Sequence, residues 1–105
     1  MLLGGPVQFK NETIIINKET WIFLRNYERT IDGYPELTER QIERVWNGMS
    51  IKNRGANPKT HPIADNEIRV DRDSFELKWD AIRSLITDNG FTYREDGFVA
   101  EGVYI

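Results

Sequence analysis

The chain contains no cysteine, and it has a single histidine. The first absence removes disulfides, thiolate nucleophiles and every zinc site built on cysteine. The second removes any metal site made of histidines alone. It also leaves His61 as the one imidazole that could act as a general base, with no partner visible in its neighbourhood to orient it. Long apolar runs are missing too. The longest are Ile14-Ile15-Ile16 and Trp21-Ile22-Phe23-Leu24, far short of the roughly 20 residues that span a bilayer. The opening Met1-Leu2-Leu3-Gly4-Gly5-Pro6 has no basic flank and no extended apolar stretch, so it does not read as a signal peptide and a cytoplasmic address is expected. Neither the Walker nor the dinucleotide glycine pattern occurs, and Gly4-Gly5-Pro6 is too short for a phosphate cradle. No cofactor is implied.

What is present fits one small domain over residues 1–105. A chain of 105 residues that is 39% hydrophobic, with three Trp, four Tyr and five Phe, can bury a core of bulky rings. The net charge is −3, unevenly spread. Residues 1–39 carry −2 and residues 63–105 carry −5, whereas 40–62 carry +4 from Arg40, Arg44, Lys52, Arg54 and Lys59 against Glu43.

Periodicity divides the chain into elements. Val7–Phe9 and Thr13–Ile16, either side of Lys10-Asn11-Glu12, suggest a hairpin, and the triple Ile suggests a strand covered on both faces or one next to a helix. Asn17 is placed to cap a helix from Lys18 to about Thr30, with a stripe of Phe23, Leu24, Tyr27 and Ile31 widened by Trp21. Asp32-Gly33-Tyr34-Pro35 breaks it. Thr38-Glu39-Arg40-Gln41 is a capping box opening a second helix, whose face is Ile42, Val45, Trp46 and Met49 and whose stop is Asn47-Gly48. Residues 51–66 lack periodicity. Glu67–Val70 alternates like a strand. Asp73-Ser74-Phe75-Glu76 reads as a second capping box, leading a helix through Phe75, Trp79, Ile82, Leu85 and Ile86 to Asp88-Asn89-Gly90. Phe91–Arg94 and Phe98–Ile105, flanking Glu95-Asp96-Gly97, suggest a closing hairpin. The expectation is an α+β fold of order ββ-α-α-loop-β-α-ββ: three helices on one face of an antiparallel sheet of about four to five strands.

Three functional readings follow. The first is a small non-enzymatic binding or regulatory protein, of the kind that inhibitors, immunity proteins and virus-encoded antagonists of host machinery represent. Its partner would be a protein, and its contact face Tyr34 with Lys52, Arg54, Lys59 and His61. In that reading the acids Asp65, Asp71, Asp73 and Asp80 offer an alternative surface resembling a phosphate backbone. The second is a nucleic-acid-associated protein using the basic loop 51–62, where Lys52, Arg54 and Lys59 have no acid among them and would give about three salt-sensitive phosphate contacts. A helix-turn-helix is disfavoured, since Gly55 and Pro58 leave no room for a recognition helix. The third is a metal-dependent nuclease-like enzyme, in which Glu76-Leu77-Lys78 would resemble an acid–lysine pair. The position of Glu76 in a capping box argues against it.

Overall fold

A computed structural model of the chain describes residues 7–56 and 62–104, with side chains from 12 to 56 and from 62 to 96. Its spine is β1 (Val7–Asn17), flanked by β2 (Glu67–Asp71) and β3 (Arg94–Tyr104) in the order β2-β1-β3, both neighbours antiparallel. The helices are α1 (Lys18–Ile31), α2 (Glu39–Gly48) and α3 (Trp79–Asp88), with a 3₁₀ turn at Arg72–Ser74.

The fold is α+β with an antiparallel sheet as expected, but among the described residues the sheet has three strands, not four or five. Both suggested hairpins are single strands. Lys10, Asn11 and Glu12 stay extended because they pair with Glu101, Ala100 and Val99 of β3; a long-range ladder overrides a local turn preference. Asp96-Gly97 is likewise not a turn. Pairing steps from Glu12↔Val99 to Ile14↔Glu95, so three β3 residues lie opposite Thr13 alone. This bulge absorbs the Asp-Gly pair.

Ile14, Ile15 and Ile16 are all buried, as a strand covered on both faces requires. Alternation places Ile14 and Ile16 with Ile68 and Val70 under the helices, where they meet Trp21, Leu24, Ile82 and Ile86. Ile15 turns to the other face with Thr13 and Arg69. There Asp96, delivered by the bulge, accepts from Arg69 Nε at 2.5 Å and from the Thr13 hydroxyl at 2.8 Å.

The Asn17 cap forms, its side chain accepting from the Thr20 amide at 2.8 Å. The Thr38–Gln41 box is closed in both directions, at 3.2 and 2.9 Å. Gly48 is the last residue of α2 rather than a left-handed stop, whereas Gly33 and Gly90 take positive φ just beyond α1 and α3. The second capping box sits two residues earlier than expected. Asp71 accepts from the Asp73 amide and the Ser74 hydroxyl, and closes the 3₁₀ turn. Phe75 then needs extended backbone, φ −134° and ψ 157°, to reach the core. The helix therefore waits until Trp79, and Glu76 caps nothing.

Candidate functional site

The sequence places Tyr34, Lys52, Arg54, Lys59 and His61 on one recognition face. Lys59 and His61 lie outside the described residues, as does the Gly4-Gly5-Pro6 segment. Tyr34 is 62% exposed, with the Arg29 guanidinium 5.7 Å from its ring centre. Lys52 is exposed.

Arg54 is not a surface cation and leaves this set: it is 6% exposed. Its guanidinium lies 4.5 Å from the centre of the Trp46 ring and donates through Nη1 to the carbonyls of Trp46 and Met49, both at 3.3 Å. Its Nε has no hydrogen-bond partner among the described residues, and the ring face carries part of the interaction. The residue ties α2 to the body of the fold. Its carbonyl accepts from the Arg69 amide at 2.9 Å, which seals the outer edge of β2. Gly55 follows at φ +97°, where a Cβ would stand 2.7 Å from Arg69 Cβ. Part of the aperiodic loop is thus edge-sealing structure. Of the three loop cations, only Lys52 is left displayed among the described residues, which removes the central phosphate contact of the nucleic-acid reading.

The acids are also dispersed. Asp71 is engaged in the 3₁₀ turn, while Asp80 opens α3. Among the described residues no group of three His, Asp or Glu side chains is placed to hold a metal ion. Trp46 is buried against Trp21, ring centres 5.4 Å apart. Trp79 is half-buried and lines a groove with Glu12, Asp80, Arg72, Lys78 and Arg83, where cations outnumber carboxylates. It is not the acid-ringed cleft a metal nuclease needs.

The feature that single-residue reading missed lies between α1 and α2. A groove of about 540 Å³ is walled by Trp21, Tyr34, Leu37, Val45, Met49 and Ile68, with charged groups from α1 and Glu76 among them. It exists because of two local choices. The inward face of α1 is Thr20, Trp21 and Leu24, so the stripe through Tyr27 and Ile31 runs out into solvent. The 32–38 connector is pinned back on α1: the Tyr34 amide donates to the Arg29 carbonyl at 2.8 Å and the Leu37 amide to Asn26 Oδ1 at 2.8 Å. α2 is then anchored chiefly through Trp46, and Val45 beside it stays exposed.

The groove's charges are partly internal. Arg25 is stacked 4.5 Å from the Phe75 ring centre and lies 3.5 Å from Glu28. Burial pushes its guanidinium below the ordinary value and Glu28 beside it pulls the other way; an arginine stays protonated throughout. Glu28 also accepts from the Glu76 amide at 2.6 Å, and Arg29 Nε donates to the Pro35 carbonyl at 2.8 Å. Among the described residues, the groove's lining includes no histidine, serine or threonine. Its chemistry is that of a contact surface.

Fold and site together define a small α+β domain with an open apolar groove between two helices. Compared with protein-family models, curated proteins and solved structures, the chain matches none. No helix among the described residues is long and apolar enough to cross a membrane.

Proposed function

We propose that this protein is a non-enzymatic, regulatory binding module that acts by contact with another protein, through the face made by the end of α1, the 32–38 connector and α2. One observation carries the reading. Among the described residues, the large hydrophobic side chains left exposed are Tyr27, Ile31, Tyr34, Val45 and Ile51. All fall within a stretch of 25 residues; Tyr34 and Val45 line the α1–α2 groove, and Tyr27 and Ile31 line a second, smaller depression on α1. Single exposed apolar groups need no explanation, but a grouped set rimmed by charge marks an interaction surface. Tyrosine is one of the residue types enriched among the anchors of contact sites. The basic loop contributes Lys52 at most from its described part, so the nucleic-acid reading draws less support.

The test is site-specific photo-crosslinking in host lysate, with the reactive group at Tyr34 and, as a control, at Thr87 on α3. A discrete adduct from position 34, absent from position 87 and lost with Val45→Asp, is the expected result. Adducts that form equally from both positions would remove this face from consideration.

A further inference from the structure

We infer that the α1–α2 groove receives one segment of the partner protein in which apolar side chains are flanked by Lys or Arg: the apolar groups seat on Trp21, Leu37, Val45 and Met49, and the basic groups meet Asp32 and Glu76. This rests on the protein-contact reading above and adds the chemistry of the partner.

Some of the groove's charge is already paired and some is left over. Two cations line the groove, and both are engaged. Arg25 sits between the Phe75 ring and Glu28, and Arg29 is held by the Pro35 carbonyl and the Tyr34 ring. Arg29 keeps its charge, since a carbonyl and a ring do not neutralise it, but with Arg25 it faces three lining carboxylates, Glu28, Asp32 and Glu76. The carboxylates divide differently. Glu28 is spent on Arg25 and on the Glu76 amide. The side chains of Asp32 and Glu76, both exposed, have no partner among the described residues.

Asp32 is also misplaced for the helix it ends. It is the C-cap of α1, where the helix dipole presents its negative end and a carboxylate is locally unfavourable. A cation brought there by a partner relieves that repulsion. Glu36, in the connector, adds a carboxylate to the neighbouring depression on α1. An acidic segment is repelled; a basic one is steered in. The apolar exposure continues beyond the groove, over α1 to Tyr27 and Ile31. That extent suits a peptide or helix lying across the surface.

The probe is a displayed library of random short peptides, selected on the immobilised full chain. Retained peptides are expected to combine aromatic or branched apolar residues with Lys or Arg. Measured by fluorescence polarisation, their binding should weaken about tenfold in the double variant Asp32→Lys/Glu76→Lys. It should also weaken as salt rises. The milder pair Asp32→Asn/Glu76→Gln guards against misfolding and should weaken binding in the same direction. Acidic peptides, or an affinity indifferent to both charge pairs yet abolished by Val45→Asp, would overturn this inference and leave the contact reading standing. No retained peptide, or peptides insensitive to Val45→Asp as well, would bring down both.

Discussion

The two flanks of the fold are finished differently. On the β2 flank, buried polar groups are mostly answered, the Nε of Arg54 being an exception among the described residues. Arg69 and Asp96, with side chains only 4% and 6% exposed, meet at 2.5 Å, and the Arg54 carbonyl closes the strand edge. On the α1–α2 flank the reverse holds: apolar side chains stand in water, with Ile31 60% and Tyr34 62% exposed. A chain able to seal a strand edge with a loop and a buried ion pair is not short of means to cover Val45 or Tyr34. The contrast is therefore read as two tasks, a flank built for stability beside a flank kept open for contact.

The largest effect that could break this comparison lies in the buried pair. Asp96→Ala leaves the Arg69 guanidinium buried without its carboxylate, and should cost about 3–5 kcal/mol in urea unfolding. Replacing both partners, as Arg69→Met with Asp96→Ala, should recover part of that loss. A single variant within about 1 kcal/mol of the parent would mean that the β2 flank is not held by its ion pair.

Next comes Gly55→Ala. Its positive φ is strained for any L side chain, and the added methyl meets Arg69 Cβ. A loss of roughly 2–3 kcal/mol is expected in thermal or chemical unfolding. A smaller loss, near that of an exposed loop change, would show that the 51–55 segment merely rests against β2. On the other flank, Thr38→Ala removes one half of the α2 capping box and should cost about 1 kcal/mol. That ranks the start of α2 below either feature of the β2 flank.

These rankings bear on what could be read from the chain itself. Elements set by local chemistry were legible: the Asn17 and Thr38 caps, the break at Gly33, the doubly covered Ile triplet. What was not legible depended on partners distant in sequence. Lys10–Glu12 and Glu95–Gly97 both look like turns until β1 and β3 pair, because no local signal tells a turn from a strand with a bulge. The Asp73 box failed because a strand end and a buried Phe75 compete for the same residues. In the site, Tyr34 was legible as an exposed aromatic beside a proline. Arg54 was not, since nothing adjacent in sequence announces that it folds onto Trp46 eight positions earlier. The groove was hidden for the same reason. The Tyr27 and Ile31 stripe has core periodicity, and only the placement of Trp21 and Leu24 shows that α1 turns a different face inward.

The smallest stability effect is the most informative. Val45→Ser and Tyr34→Ser remove side chains that are 44% and 62% exposed, so each should leave unfolding within about 1 kcal/mol of the parent. Partial burial predicts this: a side chain about half in water has only part of its transfer free energy to lose on unfolding. The same two changes should reduce capture by the photo-crosslinker and affinity for selected peptides, because there the apolar surface passes from water into contact. Effects on binding without effects on stability would separate the two flanks as cleanly as point variants can. If instead Val45→Ser destabilised the protein by 2 kcal/mol or so, the residue would belong to the packing of α2. The open flank would then be a poorly covered edge of the core rather than a surface kept for a partner.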